Sequence, residues 1–96
     1  MNITKQLSGD ALILTVSGRL DTQTAPDLEQ EIKADCAGIA SLTLDVMVLK
    51  YISSAGLRVL LGAHKAMKGN FVVKNVNEDV MEVFDVTGFS DILTIE

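Results

Sequence analysis

Ninety-six residues with eight basic and thirteen acidic side chains, a net charge of −5, leave room for one domain and lack the positive footprint of a nucleic-acid binder. Hydrophobic residues make up 48% of the chain and there is one proline, which excludes a disordered polymer; with only 4% aromatics, the core has to be aliphatic. Cys36 is the single cysteine, so neither an internal disulfide nor a Cys/His zinc set is available. No apolar run approaches the ~20 residues that cross a bilayer, and Met1 to Ser8 lack a signal-peptide core. The expectation is a soluble, cytoplasmic domain spanning residues 1–96, with no cofactor, no metal and no membrane insertion.

Along the chain, Asn2 to Leu7 and Ala11 to Val16 read as two strands joined through the turn Ser8-Gly9-Asp10. The second is apolar at nearly every position, as a central strand buried on both faces would be. Ser17 to Asp21 ends it. Thr24 stands where an N-cap would, Pro26 suits a first turn, and Asp27 and Glu29 suit the positive end of a helix; this predicts a first helix from about Ala25 to Cys36, burying Leu28, Ile32 and Cys36. Leu42 to Val46 is short enough to be a buried strand. A second helix is expected from Ser54 to about Lys68, with Leu57, Leu60, Leu61 and Met67 as its apolar stripe and Arg58, Lys65 and Lys68 outside. Phe71 to Asn75 is a further strand. Asn77-Glu78-Asp79 opens a third helix that runs through Val86 to a terminating Gly88, and Ile92 to Ile95 returns to strand spacing. The order β-β-α-β-α-β-α-β predicts an α/β domain, a central mixed sheet of about four to five strands with helices packed on it. Ligands of such sheets gather at strand ends where helices begin.

One such end is the stretch Lys50-Tyr51-Ile52-Ser53-Ser54-Ala55-Gly56-Leu57, where two serines stand between an apolar strand and a helix. The unpaired N–H groups and positive dipole of a helix start favour a serine oxygen as cap and tolerate an anion such as phosphate. A regulatory phosphoserine is therefore physically reasonable, beside the plainer reading that both serines only cap. Asp21 can serve a site or merely a turn, and Asp45 is expected to bond backbone N–H groups of the loop after it. His64 reads as a packed or half-exposed helix residue and Cys36 as a small apolar one. Glu78, Asp79, Glu82 and Asp85 read as a solvated face. No catalytic set or phosphate-binding glycine loop emerges, so an enzyme is not expected.

Three segments together resemble the STAS family, whose name joins sulfate transporters and anti-sigma factor antagonists: Gly18-Arg19-Leu20-Asp21 with Thr24-Ala25-Pro26-Asp27-Leu28; Leu44-Asp45 through Tyr51-Ile52-Ser53-Ser54-Ala55-Gly56-Leu57; and Asn75-Val76 through Val83-Phe84-Asp85-Val86-Thr87-Gly88. The resemblance implies a partner-switching regulator of bacterial transcription. Such a protein binds an anti-sigma factor that is also a serine kinase, is released when that kinase phosphorylates it, and is reset by a PP2C-type phosphatase. The family's phosphoserine falls on Ser54. Ser53 stands where well-known members carry aspartate, which makes it a second candidate acceptor. Asp21 matches the acidic residue beside the phosphorylation site, and Asp45 the aspartate that ends the preceding strand. The implied partner surface comprises Asp21, Thr22, Ser53, Ser54, Gly56, Leu57 and Arg58, with Asp45 and Thr24 as structural neighbours. Met47-Val48 makes the intervening loop unusually apolar, facing a partner or packing locally. The alternatives are a constitutively bound STAS subunit, for example beside the ATPase of a lipid transporter, and a small-ligand or nucleotide-binding domain.

Overall fold

Six strands and three helices follow one another as β1 (Asn2–Ser8), β2 (Ala11–Leu20), α1 (Ala25–Asp35), β3 (Ser41–Asp45), β4 (Leu49–Ile52), α2 (Ser54–Ala66), β5 (Phe71–Lys74), α3 (Glu78–Thr87) and β6 (Thr94–Ile95), with short 3-10 turns at Cys36–Gly38 and Phe89–Asp91. This computed structural model describes residues 1–96 except the side chain of Cys36, so the expected packing of that cysteine lies outside the described residues. β1 and β2 form an antiparallel hairpin from Ser8↔Ala11 to Asn2↔Ser17, closed by a tight turn in which Gly9 takes φ +62°. β2, β3, β5 and β6 then pair in parallel, giving the order β1-β2-β3-β5-β6. Beyond Gly18 (φ +88°) the register of β2 shifts, and its last residues pair with β4.

The core follows from that register. Leu12 and Leu14 of β2 lie beside Leu42 and Leu44 of β3, which lie beside Phe71 and Val73 of β5, and all six are buried. Onto this face α1 brings Leu28 and Ile32, α2 brings Leu57, Leu60 and Ala63, and α3 brings Val80 and Phe84. Among the described residues, every fully buried side chain is apolar. The polar residues of interest are therefore at or near the surface.

Several expectations are corrected here. β2 is not buried on both faces: Ala11, Ile13 and Thr15 are only half-buried, as are Ser41, Thr43 and Val72 beside them. The crossovers from β2 to β3, β3 to β5 and β5 to β6 all step the same way, and right-handed connections then put the helices on one side. The sheet holds a strand more than expected, β4, and β2 runs on through Ser17 and Gly18 to Leu20, with the register against β4 shifting between Gly18 and Arg19. α1 stops at Asp35, and Cys36 opens a 3-10 turn. The Phe89–Asp91 turn shortens the last strand to Thr94–Ile95. On α2 the buried stripe includes Val59 and Ala63, while Leu61 is half-buried. The third helix is built as its sequence reads: the Asn77 side chain accepts the Val80 N–H at 2.9 Å, and Gly88 closes it at φ +81°. Glu78, Asp79, Glu82 and Asp85 are all exposed. Among the described residues, no helix is long and apolar enough to cross a membrane.

Candidate functional site

β2 and β4 run parallel and finish together. Their last pair is Leu20↔Ile52, and the Ser53 N–H donates to the Leu20 carbonyl at 2.9 Å. The turn after β2, starting at Asp21, therefore stands beside the Ser53–Ser54 entry into α2. Gly56 makes this approach possible: a Cβ there would sit 2.8 Å from Leu20 Cγ and 2.9 Å from Ile52 Cγ1. Leu57, at 5% exposure, belongs to the core. Gly56 and Leu57, expected at the partner surface, are both buried in the chain, and they seat the helix that presents Ser54.

The two serines differ. Ser53 has extended backbone (φ −99°, ψ 175°), is half-buried, and its Oγ accepts the Gly56 N–H at 3.4 Å as the N-cap of α2. Ser54 is the first helical residue and is exposed, and its hydroxyl makes no hydrogen bond among the described residues. An incoming reactant meets a free oxygen at Ser54 and a partly engaged one at Ser53.

Asp21 holds its own turn. Its Oδ1 accepts the N–H groups of Gln23 at 3.0 Å and Thr24 at 3.1 Å. These bonds, the Thr24 N–H foremost, hold its carboxyl below the ordinary value of 3.8, and the Arg19 guanidinium adds to the effect. Asp21 is thus ionised beside the serines at neutral pH. Thr24 does not cap α1 through its side chain: its hydroxyl faces back, donating to the Arg19 carbonyl at 2.8 Å and accepting the Asp21 N–H at 2.9 Å. Its place is structural, in the turn that carries Asp21.

Asp45 is engaged on both oxygens, accepting the Met47 N–H at 3.0 Å and the Asn75 side-chain amide at 3.1 Å. Asn77 also donates to the Leu49 carbonyl at 2.7 Å, so the loop between β3 and β4 is tied to the end of β5 and the start of α3. With its backbone held this way, the loop buries Val46 and turns Met47 and Val48 outward, at 61% and 50% exposure.

Some features gave no signal in the sequence. Arg19 and Tyr51, partners across β2 and β4, stack with the guanidinium carbon 4.2 Å from the ring centroid. Arg19 Nε also lies 3.9 Å from Asp21 Oδ2. A groove of about 210 Å³ runs between α1 and α2 next to the serine turn, with Thr22, Pro26 and Glu29 on one wall and Ala55 and Arg58 on the other. A second, more apolar hollow of about 380 Å³ continues it along Ile32, Val59, Gly62 and Ala66. Thr22 and Arg58 are both exposed, and Arg58 makes no ion pair among the described residues. The structure thus gathers Asp21, Thr22, Ser53, Ser54 and Arg58 at one end of the sheet. His64, half-buried near the far end of α2, does not join them.

The molecule is a small mixed α/β domain that offers an exposed serine at a helix start, beside an ionised aspartate and a groove between two helices. The sequence profile of the STAS domain matches residues 2–96, and the chain belongs to the STAS family. It is 31% identical to the anti-sigma-B factor antagonist of Listeria monocytogenes over the whole of this chain and 90% of that protein. The anti-sigma factor antagonist SpoIIAA in its unphosphorylated form superposes with a TM-score of 0.85 at 15% identity, covering 99% of this chain and 88% of that one. The Bacillus cell fate determinant SpoIIAA in its phosphorylated form gives 0.77 at 14% identity, with 99% and 91% covered. At such identities the superpositions speak for the fold.

Proposed function

We propose that this chain acts as an anti-sigma factor antagonist in the bacterial cytoplasm, a binding protein whose grip on an anti-sigma factor kinase is released by phosphorylation of Ser54. The observation that carries the reading is the exposed, unbonded Ser54 hydroxyl at the start of α2, set beside the ionised Asp21. Support also comes from the relatives named as anti-sigma-B factor antagonists. In the proposed step Ser54 Oγ attacks the γ-phosphorus of ATP held by the kinase. The bond to the bridging oxygen breaks, ADP leaves, and the hydroxyl proton passes to a base of the kinase. A PP2C-type phosphatase reverses the outcome by hydrolysis.

The physical consequence is asymmetric. A phosphate adds about −1.5 to −2 charge and three acceptor oxygens. Within the chain the helix start favours that anion by ~0.3–1 kcal/mol, so the fold is retained. At an interface the same group is a desolvated charge beside the Asp21 carboxylate, and an unpaired interface charge costs ~2–5 kcal/mol. The partner surface comprises Asp21, Thr22, Ser53, Ser54 and Arg58.

The test is a pull-down from extract of the source organism, with the unmodified chain and with a chain carrying phosphoserine at position 54 introduced during translation. The expected result is that the unmodified chain enriches a protein identified by mass spectrometry as a serine kinase with a histidine-kinase-type ATPase domain, and that the phosphorylated chain retains about tenfold less or lower still. Equal capture of that kinase by both forms, or capture of transporter subunits in its place, would overturn the reading.

A further inference from the structure

Arg58 is an exposed cation on α2. It lies four residues after Ser54 on the exposed side of α2, and among the described residues no carboxylate pairs with it, although Glu29 stands on the opposite wall of the same groove. Lys5, Arg19 and Lys33 meet carboxylates, whereas Lys50, Lys65, Lys68 and Lys74, like Arg58, make no ion pair among the described residues; what sets Arg58 apart is its place one helical turn after Ser54. Residues four apart on a helix are surface neighbours, and helical side chains lean toward the N-terminus, so the turn that begins at Ser54 is within reach of the Arg58 side chain. A hydroxyl at Ser54 offers it little. A phosphate would offer three acceptor oxygens to a planar fork of donors, the pairing that guanidinium groups make best.

We propose that phosphorylation of Ser54 captures Arg58, withdrawing a cation from the groove between α1 and α2 at the same time as it places an anion at the mouth of that groove. This rests on Ser54 as the acceptor. The switch then has two parts in one event. Before phosphorylation Arg58 is free to meet an acidic side chain of the partner beside Thr22 and Ala55; afterwards it is held within the chain, and the groove presents net negative charge. A variant with glutamine at position 58 would lose the first part and keep the second.

The experiment needs no kinase and is independent of whether the source organism phosphorylates the chain. Phosphoserine is introduced at position 54 during translation in the full chain, and its second ionisation is followed by phosphorus NMR. The charged groups on neighbouring elements are Arg19 and Asp21 at the end of β2, Glu29 on α1 and Lys50 on β4. The ordinary second pKa is about 6. Capture favours the dianion, so the value in Arg58→Gln should lie above that of the otherwise unmodified chain by about 0.3 unit or more, with Arg58→Lys between them. The difference should shrink in ~1 M salt. Arg58 is exposed, so neither variant threatens the fold. Equal values with arginine and glutamine at position 58, or a rise produced by Arg19→Gln but not by Arg58→Gln, would overturn capture. Either result leaves Ser54 phosphorylation itself untouched, since that is read from the extract.

Discussion

The two ends of α1 handle charge in opposite ways. At its C-terminal end Lys5, on the helix-facing side of β1, is held by both Glu31 and Asp35, the latter at 2.7 Å, and its pKa is raised, first by the hydrogen bond to Asp35. At its N-terminal end, beside the serine turn, the groups divide. Asp21, Asp45, Thr24 and Ser53 are engaged with backbone N–H or carbonyl groups, whereas Ser54 and Arg58 are left open. Charges satisfied inside the chain serve the fold. Those left open at a well-anchored helix start are available to a partner, and the anchoring is what makes their position definite.

The sharpest way to break this contrast is to disturb the anchoring. Gly56→Ala drives a Cβ into Leu20 and Ile52, and overpacking of this kind costs ~1–3 kcal/mol, some of it offset by the better helix propensity of alanine. Urea unfolding should show the loss; an unchanged midpoint would mean that the first turn of α2 is not tightly seated. Asn77→Ala removes the cap of α3 and the bond to the Leu49 carbonyl, with an expected loss of ~1–2 kcal/mol in the same measurement. The serines separate next. Ser53→Ala should cost ~0.5–1 kcal/mol as a lost but long cap bond, while Ser54→Ala should stay within ~0.5 kcal/mol. The reverse order would exchange their assignments.

The smallest effects lie in pH. Asp21 has a folded pKa below 3.8, so its contribution to stability is fully present above that ordinary value and is lost as pH falls through the lower folded one. Lys5 has a folded pKa above 10.5, so its contribution is fully present below that value and is lost as pH rises through the higher folded one. Between these limits neither group makes stability vary. Asp21→Asn should flatten the acid limb of a stability profile and Lys5→Gln the alkaline limb, and Lys5→Gln should leave neutral stability little changed because solvent screens the exposed pair.

Much of this arrangement is legible in the sequence, for reasons that can be named. The alternation of short apolar runs with amphipathic helices makes the α/β layering readable, and Asn77 and Gly88 mark α3 from both sides. The serine turn stands out because strand, serines and Gly56-Leu57 follow in one line. β4 was hidden because Leu42 to Leu49 is apolar almost throughout, and the break between β3 and β4 is made by the side chain of Asp45 folding back onto the Met47 N–H. Ser17-Gly18 looks like a strand end, but pairing with β4 carries the strand on to Leu20. The engagement of Ser53 against the openness of Ser54 is local: Ser53 accepts the Gly56 N–H as the N-cap, but with two adjacent serines the sequence leaves open which of them takes that place. The stacking of Arg19 on Tyr51 joins residues that no local pattern connects.

The most direct test of the central claim is where phosphate goes. The wild-type chain, Ser53→Ala and Ser54→Ala are incubated with ATP and source extract in which the kinase is shown to be active, and each is read by intact mass and phosphopeptide mapping. The account predicts one phosphate on wild type and on Ser53→Ala, mapped to Ser54, and none on Ser54→Ala. Phosphate on Ser53, or no phosphate on any of the three, would contradict it.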